Sequence, residues 1–146
     1  MATGKLIGIA WKKESYGDMI EVDHAFVSLL KGVADDFRGK PGNRQVTVLA
    51  REAYDHAFTD LGTNPDWKLR RANLLIEGLK LENSTGRKLK IGDVVLEITG
   101  ETKPCYRMDE QLDGLKNALQ PHWRGGVTCK VIAEGEIVKG DAVFFI

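Results

Sequence analysis

Cysteine is scarce in this chain: 146 residues carry two, Cys105 and Cys129. Two cysteines make no disulfide framework, so both thiols are expected reduced and the fold must rest on a hydrophobic core. An excess of one charge is missing as well. Lys+Arg and Asp+Glu number 21 each, which argues against the broad cationic face of a general nucleic-acid binder. No apolar run approaches the roughly 18 residues of a membrane span. The opening Met1-Ala2-Thr3-Gly4-Lys5 lacks the basic-then-apolar layout of a secretory signal. These absences lead to the expectation of a cytoplasmic protein of a bacterium-like cell, with neither membrane nor nucleic acid as partner.

Catalytic signatures are thin too. His24, His56 and His122 are scattered, and none has a ligand partner at helical or turn spacing, which weighs against a zinc hydrolase. No glycine-rich loop fits the P-loop or dinucleotide pattern, and no Gly-x-Ser-x-Gly elbow occurs. NTPase, Rossmann dehydrogenase and serine hydrolase readings lose weight accordingly.

What is present suits one mainly β, β-rich α+β domain over residues 1–146. About 42% of the chain is hydrophobic, enough for a single core. Short apolar runs separated by glycines predict strands at Gly4–Trp11, Phe26–Leu30, Gln45–Ala50, Asn73–Ile76, Lys88–Ile91, Val94–Thr99, Val127–Ala133, Glu136–Val138 and Ala142–Ile146. Such spacing suits a closed or nearly closed barrel. Two helices are expected. Arg51–Leu61 places Ala53, Ala57 and Leu61 on one stripe, and Asp109–Gln120 places Leu112, Leu115 and Leu119 on one face before Pro121. Gly92-Asp93 and Gly140-Asp141 each separate two apolar runs, a hairpin signal, through shared turn chemistry or an internal duplication.

Cys105 is the leading candidate for chemistry. It lies in Lys103-Pro104-Cys105-Tyr106-Arg107-Met108, with a cation on each side and a predicted helix start about four residues on. Both features stabilise a thiolate, which could act as nucleophile, sulfur carrier or soft metal ligand. An ordinary loop cysteine remains the alternative. Cys129 sits in Val127-Thr128-Cys129-Lys130-Val131 and shares a face with the two valines, so it reads as core. Arg38, Lys40, Arg44, Lys68, Arg70, Arg71, Lys103, Arg107 and Arg124 fall on turns and strand ends. Gathered at a barrel mouth they would hold a small phosphate-bearing anion; scattered, they are solvated arginines and lysines.

Taken in order, Arg44 to Leu49, Arg71-Ala72-Asn73 running on to Gly78, Leu89 to Thr99, Lys103-Pro104-Cys105, Arg124-Gly125-Gly126-Val127 and Glu134 to Val143 resemble the MOSC family, named for the C-terminal domain of molybdenum cofactor sulfurases. The likeness covers nearly the whole chain. It implies a β-barrel and the molybdenum cofactor (molybdopterin), a metal held by a pterin that carries a phosphate. By that resemblance Cys105 is the catalytic cysteine, as molybdenum ligand or as bearer of sulfur. Arg71 and Asn73 match the Arg-x-Asn block that contacts the cofactor, and Arg44 and Lys103 join them on the charge argument above. Some members resemble reductases of N-hydroxylated compounds and others are sulfurase tails. Three readings follow: a small molybdenum oxidoreductase, a sulfur carrier through a Cys105 persulfide, and a non-catalytic binding module. The expected partners are a small-molecule substrate, an electron-donor or sulfur-donor protein, and a second copy covering an open cofactor face. The family's Gly-Asp-Arg-His pattern is replaced here by Ala34-Asp35-Asp36-Phe37, and with it the histidine is lost.

Overall fold

The computed structural model describes residues 3–14, 17–62, 66–67, 72–102 and 114–146. Eleven strands are found among them: β1 Gly4–Trp11, β2 Ile20–Val22, β3 His24–Ser28, β4 Gly32–Val33, β5 Val46–Ala50, β6 Leu74–Glu77, β7 Lys88–Ile91, β8 Val94–Glu101, β9 Val127–Ala133, β10 Gly135–Val138 and β11 Ala142–Phe145. Helix α1 spans Arg51–Leu61 and α2 spans Leu115–Leu119, followed by a 3-10 turn at Pro121–Trp123.

Seven strands close on themselves in the order β11-β7-β8-β9-β5-β6-β1, and β1 returns to pair with β11 at Gly4↔Val143. Alternation fills the barrel. Val94, Leu96 and Ile98 of β8, Val127, Cys129 and Val131 of β9, and Val46 and Val48 of β5 all point into one buried cluster. Outward positions on β8 and β9 include Glu97, Thr99, Thr128 and Lys130, and Glu97 meets Lys130 across the β8–β9 rung at 3.2 Å. In β1 the strict period breaks: the register shifts between Leu6 and Gly8, so Leu6 and Ile9 both reach the core.

All barrel pairings are antiparallel except β5–β6. A parallel pair needs a long crossover, and α1 provides it. Tyr54, Ala57 and Phe58 of α1 pack with Leu49, Ala72, Leu75, Ala118 and Leu119 into a second apolar cluster outside the barrel. The predicted Ala53–Ala57–Leu61 stripe is therefore one flank of the buried face, and the aromatic pair Tyr54–Phe58 is its centre, with ring centroids 4.4 Å apart.

Differences from the sequence reading have local causes. β2 and β4 are three and two residues long, too short to carry a pattern. The Gly140-Asp141 turn does not make a hairpin. β10 pairs with β3 in a separate sheet, β10-β3-β4, while β11 belongs to the barrel, so the turn passes the chain from one sheet to the other. Leu6 grips it from β1: its N–H donates to the Asp141 carbonyl and its carbonyl accepts the Gly140 N–H. Gly92-Asp93 does make the expected hairpin, with Ile91 facing Val94. Of the helix expected at Asp109–Gln120, the described part is α2 at Leu115–Leu119, preceded by Gly114 with φ of 82°. Residues 109–113 lie outside the described structure. No helix among the described residues is long and apolar enough to cross a membrane.

Candidate functional site

Of the residues singled out, Cys105, Lys103 and Arg71 lie outside the described residues; Asn73 and Arg44 lie within them. The site is accordingly built from the elements that deliver the chain to and from those positions.

Asn73 sits just before β6, in the gap between β5 and β1. Its Oδ1 accepts the Thr47 N–H at 3.1 Å and lies 3.3 Å from the Thr47 hydroxyl, while its Nδ2 donates to the Ala10 carbonyl at 3.2 Å. Its own N–H meets the Thr47 hydroxyl at 3.0 Å. The side chain is buried and occupied by the protein itself, lacing β5 to β1. It fixes the backbone two residues after Arg71.

That lacing continues across the sheet. Thr47 pairs with Thr128 of β9, and Thr128 pairs with Gly100 of β8. The Thr99 hydroxyl lies 2.7 Å from the Thr128 hydroxyl and also reaches the Asn43 carbonyl. Asn73, Thr47, Thr128 and Thr99 thus form a polar belt over the barrel's outer side, since their neighbours Val46, Val48, Cys129 and Ile98 take the interior. One end of the belt holds Asn73. The other holds the loop residue next to exposed Arg44, at the strand that leads towards Cys105 in sequence. Of the cations that could gather at a barrel mouth, four are described: Arg38, Lys40 and Arg44 are exposed in the loop before β5, and half-buried Arg124 donates Nη1 to the Ala118 carbonyl at 3.2 Å.

Beyond the belt, Thr102 leaves β8. Its N–H donates to the Gly126 carbonyl at 2.9 Å. Gly126 has φ of 88°, and a Cβ there would stand 2.3 Å from the Val48 carbonyl, so the Arg124-Gly125-Gly126 turn tolerates no side chain at its last position. The Thr102 hydroxyl is buried and has no hydrogen-bond partner among the described residues. A buried orphan hydroxyl is costly, and its position three residues before Cys105 marks a place where a bound group can supply the missing partner.

Gln45 was missed by sequence reasoning beyond its place in a motif. It is buried, donates to the Leu29 and Gly39 carbonyls at 2.7 and 3.0 Å, and accepts the Val131 N–H at 2.9 Å. The only earlier signal is a polar residue opening an apolar strand. Cys129 is fully buried as expected, and burial pushes its thiol far up from the usual range, so it takes no part in thiolate chemistry. No group of three metal-binding side chains occurs among the described residues.

Sequence comparison decides the family: residues 15–144 match the MOSC domain. The chain belongs to the MOSC domain family. That family is associated with binding of the molybdenum cofactor. The crystal structure of APC1665, the YuaD protein from Bacillus subtilis, resembles this MOSC domain at a TM-score of 0.82 and 18% identity, covering 98% of this chain and 97% of that one. YiiM from Escherichia coli gives 0.71 at 18% identity over 97% of this chain and 69% of that one. YiiM from Geobacillus stearothermophilus gives 0.78 at 15% identity, over 98% and 75%. At such identities the likeness speaks for the MOSC fold alone. No curated protein matches the chain in sequence.

Proposed function

We propose that this MOSC protein binds the molybdenum cofactor and acts as a small oxidoreductase on N-hydroxylated compounds, with Cys105 as thiolate ligand to the metal. The observation that carries the reading is the MOSC match over residues 15–144, which includes the Pro104-Cys105 pair. The described residues fit such a group in two respects. The Thr102 hydroxyl is orphaned beside the segment that bears Cys105. Arg44 is exposed at the end of the belt that also positions the chain after Arg71.

In this reading Arg71, Arg44 and Lys103 hold the anionic pterin phosphate. Arginine suits that task because its planar fork presents paired donors to phosphate oxygens. Asn73 serves in this reading by position: its buried amide, engaged with Thr47 and Ala10, sets the backbone that brings Arg71 to the pterin. Lys103 and Arg107 hold Cys105 in its thiolate form by their charge. When bound, the cofactor supplies two-electron oxygen-removal chemistry. Electrons come from a separate donor protein, and a second copy of the chain covers the open face.

The test is expression in a cofactor-producing host, followed by metal and pterin analysis of the folded protein. The expected result is molybdenum and pterin in the wild type and loss of molybdenum in Cys105→Ser. A folded wild type free of both overturns the reading, and an extra sulfur on Cys105 in such a protein would replace it with sulfur carriage.

A further inference from the structure

A cleft of about 410 Å³ opens between the start of α1, the segment 79–82 that follows β6, and the 3-10 turn at 121–123. Its size is that of a small-ligand site, and it needs no segment outside the described residues to form its walls. Leu79, Leu81 and Trp123 give it an apolar floor.

The polar groups around that floor are not equivalent. Both carboxylates are engaged. Glu52 accepts the Gly78 N–H at 2.7 Å, and Glu82 meets His122 Nδ1 at 2.9 Å, which ties the segment to the turn. Lys80 and His56, in contrast, are exposed at the rim with no partner among the described residues. Arg124, which also lines the cleft, donates Nη1 to the Ala118 carbonyl, so the side-chain groups that face the cleft uncommitted are the Lys80 ammonium and the His56 ring. The wall itself is held in a costly conformation: His122 and Trp123, neither a glycine, both have left-handed φ, at 55° and 57°.

We infer that this cleft binds a small organic anion, an apolar ring or chain carrying one carboxylate-like group, with the body on Trp123, Leu79 and Leu81 and the charge against Lys80 and His56. The inference does not rest on molybdenum binding and is tested on the protein without cofactor.

The experiment is a titration of ¹⁵N-labelled protein with benzoate, and with benzamide as its uncharged counterpart. Benzoate should shift the Trp123 indole N–H and the amides of Lys80 and His56 saturably, and bind about tenfold more tightly than benzamide. Lys80→Glu, at an exposed position, should weaken benzoate about tenfold or more with the melting temperature unchanged. His56→Gln should weaken it less. Shifts that map elsewhere or do not saturate overturn the proposal. So does equal binding of benzamide, or a Lys80→Glu protein that binds benzoate as the wild type does.

Discussion

Three buried residues show how single side chains govern this barrel. Gln45 joins the Leu29 and Gly39 carbonyls to the Val131 N–H, so one side chain closes three backbone groups from three segments. Gln45→Ala leaves those groups unpaired, at about 1–3 kcal/mol for each that water cannot reach. Urea unfolding should show a loss of at least ~2 kcal/mol at an unchanged m-value. Gly126→Ala meets the Val48 carbonyl and a left-handed φ together. Strain of this kind costs about 1–3 kcal/mol, and the clash adds to it; the same measurement reports the sum. Cys129 gives a pH dependence. Its folded pKa is raised by burial, so the neutral thiol is preferred in the native state. The resulting stability is complete below the unfolded pKa of roughly 8.5 and is lost as pH rises above it, because only the unfolded chain can ionise there. In a Cys105→Ser background, a thiol reagent should find no group in the native protein and one after unfolding. Cys129→Val should flatten the alkaline fall in melting temperature.

At the scale of elements, the sequence was most legible where local pattern and final environment agree. β1 and α1 occupy the spans predicted for them, Gly4–Trp11 and Arg51–Leu61. The short strands β2 and β4 left no trace because their pairing is set by β1 and β3, not by their own residues. The Gly140-Asp141 turn was misread for a related reason: two residues specify a turn, but the partner strands on either side specify which sheet receives the chain. The belt of Asn73, Thr47, Thr128 and Thr99 was legible only in part. Asn73 stood out through its motif, whereas the three threonines look like ordinary outward strand residues until register aligns them. Thr102 carried no signal at all, since an orphan hydroxyl is a property of packing. The belt makes a prediction of its own. Asn73→Ala removes the link between β5 and β1 and should cost about 2 kcal/mol by the same unfolding measurement, because buried backbone groups on both sides lose a partner. Asn73→Asp, which retains an acceptor for Thr47 but buries a carboxylate against the Ala10 carbonyl, should cost at least as much as Asn73→Ala.

The whole molecule is organised by closure. The Gly4↔Val143 and Lys5↔Ala142 pairing completes the barrel with strands 137 residues apart in sequence, as 142 is to 5. Deleting Ala142–Ile146 would expose the edges of both β1 and β7, remove the buried Val143 side chain and open the core beneath it. Near-ultraviolet circular dichroism of that variant should show the loss of fixed aromatic environments, not a local change. Family membership was legible from the sequence because its motifs sit on the strand ends and turns that closure brings into fixed relation: Arg44 before β5, Asn73 before β6 and Gly126 before β9. Of the cations that charge alone offered for a barrel mouth, Lys68, Arg70, Arg71, Lys103 and Arg107 lie outside the described residues, and sequence order by itself reports neither the inner nor the outer side of a barrel.

The same closure has a consequence during synthesis. A barrel whose first strand awaits β11 cannot form its final hydrogen-bonded ring while the ribosome still holds that strand. Until then β1 must remain partnered by β6 alone along its Gly4–Lys5 end, with the apolar interior open at the seam between β1 and β7. At about 5–20 residues per second the nascent chain spends seconds in this state, long enough for an open strand edge to need the shelter of a chaperone.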